Sequence, residues 1–344
     1  MRSLSTLFLS TLAVAIVTMT SCQKQLSQPS NALSSDQTIG AILKNAADEA
    51  NGMNGEVLTT SNGGAPSNPL AHARSHARFS VLTVALAKTG LLNTLMRLDG
   101  DYTLFAPTDD AFAAAGLSTS DITKLPEETL KSILLYHVVG AKVPAAAVPA
   151  NAAVATLNGK KIYVRSSASG VAINLSKVTL ADVMAKNGVI HVIDKVLLPP
   201  TQSIVDIVVS DTSFSLLKTA VLRASQGTTN VAALLSGAGP FTVFAPVNSA
   251  FRALGLNEAA INGTAPDALT PILAYHVINN AAVFSIDLSN GIMPTMLSGG
   301  TTTITLTGGA KIKGKTNASA SNIIATDIIT TNGVIHVIDS VLLP

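Results

Sequence analysis

Three sequence blocks occur twice in this chain, in the same order. YTLFAPTDDAF at 102–112 returns as FTVFAPVNSAF at 241–251, and LLYHVV at 134–139 returns as LAYHVI at 273–278. NGVIHVIDKVLLPP returns as NGVIHVIDSVLLP at the end of the chain. The first two pairs lie 139 residues apart and the third lies 145 apart. Such ordered blocks indicate a tandem duplication of one domain, and two copies are too few for a solenoid.

Each copy is predicted to contain helices first and a sheet afterwards. Residues 79–97 place apolar side chains on one helical face, with Gly90 as a break between two helices, and 204–224 is the matching stretch of the second copy. YTLFA at 102–106 is typical of a short strand that the following proline ends. Later segments are strand-like and include a hairpin turn at Asn158-Gly159. The pattern predicts an α+β domain.

The repeated blocks resemble the two signature regions of the fasciclin domain, with its Tyr-His motif between them. The resemblance covers roughly residues 70–199 and 200–344. It implies two tandem fasciclin-like domains, each a β-wedge flanked by helices. It also implies that the Tyr-His pairs, Tyr136 with His137 and Tyr275 with His276, are candidate adhesion motifs.

The Tyr-His pairs also have a structural interpretation. Each pair stands where a helix is predicted to end and a strand to begin. The neighbours of Tyr136 and His137 are apolar on both sides, which favours burial, and buried polar groups are hydrogen-bonded. In this interpretation, which the apolar neighbours favour, the pair holds the helix end to the sheet.

Two residues after the first repeated strand are predicted to start a helix. Thr108 and Asp109 are good N-cap and first-turn residues. The second copy has Val247 and Asn248 at these positions, so an amide replaces a carboxylate. A role that needs a negative charge therefore could not be shared by the two copies.

The block VIHVID contains a histidine and an aspartate in each copy. On a strand, His191 and Asp194 project to opposite faces, and His336 and Asp339 are spaced identically. This geometry is poor for a catalytic His-Asp pair. A structural histidine, hydrogen-bonded to a neighbouring loop, is the favoured interpretation.

The first 22 residues have the pattern of an export signal. Arg2 precedes the apolar run LFLSTLAVAIVTM, and Cys22, the only cysteine in the chain, follows it. A cysteine at this place resembles the bacterial lipoprotein signal, which implies acylation of the Cys22 thiol. A plain signal peptide that ends near a cysteine is the alternative. The apolar run is shorter than the ~20 residues that a membrane-spanning helix needs.

Residues 23–69 are predicted to form a tether. Ser, Gln, Asn and Pro dominate its beginning, and Gly, Ser and Pro dominate its end. Between them, residues 37–50 place apolar side chains such as Ile39 and Leu43 at helical spacing, which predicts a short amphipathic helix. The first folded domain is expected to start near Leu70.

Composition and motifs exclude several function classes. Lys and Arg number 22 and Asp and Glu number 20, with no basic stripe, so nucleic acid is not an expected partner. No nucleophile elbow, zinc-protease motif or phosphate-binding loop occurs. His72 and His76 have the spacing of helical metal ligands, but Arg74 and Arg78 alternate with them and oppose a cation. We therefore expect no metal site, no cofactor and no catalytic residues.

The function predicted from the sequence is a non-enzymatic, membrane-anchored adhesion or matrix-interaction protein at the cell surface. Its expected partners are an extracellular protein or polysaccharide, and the membrane through the lipid anchor. The outer membrane or cell surface is the expected location, with the periplasm as an alternative. A carbohydrate-binding accessory lipoprotein of a polysaccharide-uptake system is the second hypothesis, although Trp is absent. A hydrolase with a non-standard site is the third.

Overall fold

The computed structural model describes residues 37–52, 79–148, 151–167 and 170–344. These residues fall within one compact unit, Leu33–Pro344. None of the helices in these ranges combines the length and the hydropathy that crossing a bilayer requires. Cys22, the signal segment, His72 and His76 lie outside the described residues.

The first copy begins with helices and continues with strands, as the sequence predicts. Its helices are α1 (Ile39–Gly52), α2 (Ser80–Lys88), α3 (Leu91–Met96), α4 (Asp109–Ala114), α5 (Thr119–Lys124) and α6 (Glu127–Tyr136). Its strands are β1 (Tyr102–Pro107), β2 (Val138–Val139), β3 (Asn151–Ala155), β4 (Lys161–Ser167), β5 (Gly170–Ile173), β6 (Ser176–Ala185) and β7 (Gly188–Ile193). Gly90, in a left-handed conformation, separates α2 from α3, and Asn158-Gly159 lies in the β3–β4 turn, so both predictions are confirmed.

The second copy repeats this order. Its helices are α7 (Ile204–Ser210), α8 (Ser215–Ala224), α9 (Val231–Leu235), α10 (Asn248–Ala253), α11 (Glu258–Gly263) and α12 (Pro266–Ala274). Its strands are β8 (Phe241–Pro246), β9 (Val277–Asn279), β10 (Thr303–Thr305), β11 (Lys311–Lys313), β12 (Ser321–Thr330) and β13 (Gly333–Ile338). Both copies are α+β domains, as expected.

The two repeated apolar strands are parallel neighbours in each sheet, and the first of them lies next to a short edge strand. The first sheet has the order β2-β1-β7-β6-β5-β4-β3, and the second has the order β10-β11-β12-β13-β8-β9. β1 pairs with β7 in parallel, and β8 pairs with β13 in the same way. The long strands β6 and β12 each carry two register shifts against their neighbour. Such irregularities bend a strand and increase its twist, which curls the sheet.

The repeated parallel strands are buried on both faces, so each copy has two cores. Along β1, Leu104 and Ala106 face the helices, while Phe105 belongs to a second cluster enclosed by the curled sheet. Successive side chains of a strand point to opposite faces, so one strand contributes to both cores. On β8, Val243 likewise belongs to the core beneath the helices and Phe244 to the second core.

Helix α1 is part of the first domain and not of a tether. Ile39, Ile42 and Leu43 are buried in the core that α2 and α3 also line. Its counterpart in the second copy is α7, so the expected correspondence of 204–224 with 79–97 is wrong for its first half. The folded domain therefore begins before residue 70, because the apolar stripe of an amphipathic helix is stable only when it is covered.

The two copies touch through a small buried cluster. Tyr163 of β4 packs with Phe284 and Val334 of the second copy. Beside it, Arg165 donates a hydrogen bond to the Asp287 carboxylate at 2.8 Å, and its guanidinium lies 4.1 Å from the centre of the Phe284 ring. Apolar burial, a cation–π contact and a partly buried ion pair therefore join the domains.

Candidate functional site

The Tyr-His pair of the first copy lies at the end of α6 and is buried. The Tyr136 hydroxyl donates to the Lys161 carbonyl at 2.8 Å and accepts from the Asn174 amide at 3.1 Å. His137 bonds the Ile133 carbonyl through Nδ1 at 2.8 Å. Its Nε2 accepts the Leu197 backbone N–H at 2.9 Å. Both side chains therefore have all their polar atoms engaged inside the domain.

The second pair repeats this arrangement. Tyr275 and His276 are buried, and the Tyr275 hydroxyl donates to the Thr301 carbonyl and accepts from the Lys315 backbone N–H at 3.0 Å. His276 bonds the Ile272 carbonyl through Nδ1 and accepts the Leu342 N–H at Nε2, both at 2.8 Å. In this conformation neither pair presents a side chain that a ligand could contact at the surface.

Burial determines the charge state of these side chains. It lowers the pKa of His137 and of His276 to about 4 and raises the pKa of Tyr136 to about 12. The hydrogen bonds assign the neutral tautomer, because a carbonyl at Nδ1 requires a proton there and an incoming N–H at Nε2 requires a lone pair. Both histidines are therefore uncharged at neutral pH.

The histidines of VIHVID are also buried and are placed on the strand face that the alternation predicts. His191 bonds the Val143 carbonyl through Nε2 at 2.9 Å and accepts the Asp182 N–H at Nδ1. Its ring stacks on Phe105, with 5.6 Å between the centroids. Burial lowers its pKa.

His336 has the same surroundings in the second copy. It bonds the Val283 carbonyl at 2.8 Å, accepts the Asp327 N–H and stacks on Phe244 at 5.4 Å. Burial lowers its pKa as well. The equivalence of the two sites indicates that both copies place this histidine by the same internal contacts.

The aspartates of VIHVID have other partners. Asp194 accepts from the Ser176 hydroxyl at 2.9 Å and from the Lys177 N–H at 2.7 Å. Asp339 accepts from the Ser321 hydroxyl at 3.0 Å in the second copy. Neither aspartate bonds the histidine of its own strand, so the structure brings together no His-Asp pair from these blocks.

The residues after the first repeated strand connect two helices. Thr108 caps α4 by accepting the Ala111 N–H at 3.2 Å. Asp109 accepts from the Ser80 hydroxyl at 2.5 Å and from the Val81 N–H at 2.9 Å, which ties α4 to the start of α2. The capping role predicted for Thr108 is therefore observed.

Asn248 makes the connection of Asp109 without a charge. It accepts from the Ser215 hydroxyl at 3.2 Å and from the Leu216 N–H at 2.9 Å, and its amide donates to the Thr212 carbonyl at 2.8 Å. Val247, at the N-cap position, makes no side-chain cap. Both residues supply a side-chain oxygen that accepts hydrogen bonds from the start of a neighbouring helix. The connection therefore needs an acceptor oxygen but not a negative charge. These contacts also show that Ser80 and Ser215 occupy equivalent positions in the two copies.

An asparagine that is not among the predicted site residues connects segments far apart in the chain. Asn187 accepts the Ile39 N–H at 2.8 Å, and its amide donates to the Leu95 and Arg97 carbonyls, both at 2.8 Å. One side chain therefore joins the start of α1 to the end of α3. The available signal in the sequence is the Asn-Gly pair that opens the block NGVIHVID in both copies.

Asn332 makes the equivalent three bonds in the second copy. It accepts the Ile204 N–H at 3.1 Å and donates to the Leu235 and Gly237 carbonyls at 2.8 and 2.9 Å. These bonds show that Ile39 is equivalent to Ile204, and Leu95 to Leu235, in the two copies.

The glycine after each of these asparagines allows the parallel strands to approach. Gly188 has a φ of 150°, and a Cβ there would overlap the Tyr102 carbonyl oxygen. Gly333 would meet the Phe241 carbonyl in the same way. The Asn-Gly pair therefore has a structural role in both copies: the asparagine connects helices and the glycine allows the strands to pair. Within the described part of the chain, no group of three or more His, Cys, Asp or Glu side chains could hold a metal ion.

Comparison with known proteins gives matches in both copies. The family model described as Fasciclin domain matches residues 77–199 and 215–344. The chain is 43% identical over 130 residues to Protein sll1483 of Synechocystis sp., covering 37% of this chain and 71% of that protein. It is 30% identical over 262 residues to the transforming growth factor-beta-induced protein ig-h3 of Sus scrofa, covering 75% of this chain. The chain spans only 37% of the length of ig-h3.

A solved structure also matches. It is a FAS1 domain pair from the insect cell adhesion molecule Fasciclin I, with a TM-score of 0.37 and 21% sequence identity. The match covers 77% of this chain and 96% of that chain.

Proposed function

The chain belongs to the fasciclin domain family, and on that premise we propose that it is a non-enzymatic, membrane-anchored protein that mediates adhesion or binds a matrix component at the cell surface. One observation carries the proposal. In both copies the repeated tyrosine, histidine and asparagine side chains are engaged in internal hydrogen bonds that hold the framework. Recognition is therefore left to the outer surface of the domains.

The surroundings of the histidines support a role without catalysis. A general base needs solvent or substrate access and a pKa near the working pH. All four histidines in the described residues are buried, and burial lowers the pKa of each. Each ring nitrogen also has a partner already, so a substrate proton would have to displace a framework bond.

The placement of the aromatic rings supports a protein ligand over a carbohydrate. Stacking of a sugar requires an exposed ring, and aromatic side chains with one accessible face are the usual recognition elements. In the described ranges every phenylalanine is buried, as are Tyr136, Tyr163 and Tyr275, while Tyr102 is half-buried. The carbohydrate-binding alternative therefore gains no support from the described surface.

The proposed anchor is the acylated thiol of Cys22. Its support is the lone cysteine directly after an apolar export segment. Two or more acyl chains hold a protein on a membrane stably, whereas one chain gives reversible binding. We place the protein at the outer membrane or cell surface, with the periplasm as the alternative location.

Binding arrays test this function directly. The protein lacking residues 1–22 is applied to arrayed matrix proteins and glycans, with a heat-unfolded sample as the control. Retention of only the folded protein on matrix proteins is the expected result. Retention on glycans alone would transfer the assignment to the carbohydrate-binding alternative, and turnover of an arrayed glycan would establish an enzyme.

A further inference from the structure

We propose that the second copy binds the alkyl end of a fatty carboxylate in an apolar pocket between α7, α8 and α9. The proposal does not depend on the adhesive function, and it concerns positions at which the two copies differ in sequence. It rests on the pocket, on the side chains around its mouth and on one unpaired cation.

The pocket is a small cavity with apolar walls. Its volume is about 40 Å³, and its walls are formed by aliphatic side chains that include Val208, Leu217, Val221 and Leu235. His276 also lines it, but both ring nitrogens of His276 are engaged elsewhere. Apart from the ammonium of Lys218, the walls therefore offer dispersion contacts without a free hydrogen-bonding group, and an apolar cavity of this kind accepts an apolar guest. The volume suits a short alkyl end or one aliphatic side chain.

Two of the residues that line the pocket differ between the copies in side-chain size. Gly40 follows the first residue of α1 and lies against α3, where a Cβ would come within 2.7 Å of Met96 Cγ. The second copy has Val205 at this position. Opposite it, Ala232 stands where the first copy has Leu92. Both Val205 and Ala232 line the pocket.

Two large aliphatic side chains stand exposed at the mouth of the pocket, where the first copy has no large aliphatic residue. Val209 and Leu222 line it and are 45% and 50% exposed. The corresponding positions of the first copy hold Lys44 and Ala87. Leu234 on α9, 36% exposed, similarly stands where the first copy has Thr94. Clustered exposed aliphatic side chains mark interaction sites more often than scattered ones do.

One cation at the pocket selects the charge of the occupant. Lys218 lines the pocket and is half-buried, and it forms no ion pair or hydrogen bond with any described side chain. The first copy has Thr83 at this position. One ammonium group beside one apolar pocket is complementary to a molecule that has one alkyl chain and one negative charge.

Other occupants fit these features less well. A second copy docking by two-fold symmetry would bring two Lys218 ammonium groups towards each other. A partner helix uses a row of anchors at i, i+3, i+4 and i+7, whereas this pocket is one hole. An anionic bilayer binds clusters of four to eight basic residues, whereas the pocket carries one. A free fatty carboxylate remains.

The test is calorimetric titration of the full-length protein with sodium dodecanoate below its micelle concentration. Ala232→Leu introduces the residue of the first copy and fills the hole, so it should weaken dodecanoate binding about tenfold or more. Lys218→Thr, again the residue of the first copy, should weaken binding about fivefold. It should also abolish the preference for dodecanoate over dodecyltrimethylammonium. Lys177→Thr, at an exposed lysine of the first copy, is the matched control and should change nothing.

The result that would overturn the proposal is dodecanoate affinity unchanged in both variants, or no dodecanoate binding to the wild-type protein. Binding only to phosphatidylglycerol vesicles or to an acidic helical peptide would also overturn it. Thermal unfolding of Ala232→Leu confirms that the variant folds. Should it not fold, Lys218→Thr decides alone, because it alters no core side chain.

Discussion

The side-chain oxygen of Asn187 accepts the backbone N–H of Ile39 at 2.8 Å, although 148 positions of sequence separate the two residues. This bond holds the first turn of α1 against the entrance to β7. The first four N–H groups of a helix have no partner within the helix, so the asparagine supplies one that α1 lacks. The same relationship between Asn332 and Ile204 indicates that the duplicated unit includes this first helix.

Replacement of this asparagine should destabilise its own domain. Asn187→Ala leaves the Ile39 N–H and the Leu95 carbonyl buried without a partner, and each such group costs about 1–3 kcal/mol. We expect a loss of about 3 kcal/mol in the free energy of unfolding, measured by urea denaturation. Asn332→Ala should lower the free energy of unfolding of the second domain by a similar amount. Asn45→Ala, at an exposed position of α1, is the control, and an equal loss there would contradict the assignment.

The first domain should need residues 37–52 to fold. A fragment that starts at residue 68 lacks Ile39, Ile42 and Leu43, whose burial contributes about 1.5–3 kcal/mol for each side chain. We expect cooperative thermal unfolding of a fragment covering 37–200 and a broad transition, or none, for 68–200. Fragment 201–344 contains its counterpart helix α7 and should unfold cooperatively. Equal transitions for 37–200 and 68–200 would show that α1 is dispensable.

Acidification should destabilise both domains through the Tyr-His histidines. Burial holds the pKa of His137 and of His276 at about 4, whereas an unfolded histidine titrates near 6.5. Between these values the unfolded chain binds protons that the folded chain does not, so stability is complete above about pH 6.5 and falls as the pH decreases towards 4. The loss for each histidine is about 3 kcal/mol.

Urea denaturation between pH 7 and pH 4 measures this dependence. His191 and His336 contribute in the same direction, because burial lowers their pKa too. In His137→Gln the amide supplies a donor and an acceptor without titrating, so the pH dependence of the first domain should decrease. A stability that does not change over this range would refute the neutral, buried assignment.

Truncation of the Tyr-His histidines separates a framework role from an adhesive one. His137→Ala leaves the buried Leu197 N–H without an acceptor, and His276→Ala does the same to the Leu342 N–H. Each change should lower the stability of its own domain by ~1–3 kcal/mol. Attachment to a matrix ligand should then decrease only as far as the unfolded fraction increases. Unchanged melting with lost attachment would establish the adhesive role.

Acylation of Cys22 should direct the protein to the membrane fraction. Metabolic labelling with a clickable fatty acid should mark the wild-type protein and not Cys22→Ser, because the chain has no other cysteine. Membrane fractionation of the two proteins should differ in the same way. Equal labelling of both would leave a plain signal peptide as the explanation.

Several elements could be predicted from short stretches of sequence. The helix break at Gly90, the β3–β4 turn and the cap at Thr108 depend on local backbone preferences, which a few residues encode. The opposite orientation of His191 and Asp194 follows from the two-residue period of a strand. Local pattern was enough in each case because the partners are close in the chain.

Other features depend on partners that are distant in the chain. The repeat by itself determined two α+β domains of the fasciclin type, and periodicity determined that residues 37–50 would form an amphipathic helix. Only the tertiary structure decided that this helix completes the first core, that Asn187 fastens it and that the Tyr-His pairs are buried. Only the tertiary structure brings α7, α8 and α9 together around the pocket that Lys218 lines. A sequence pattern specifies which face of an element is apolar, but what covers that face depends on how segments far apart in the chain come together.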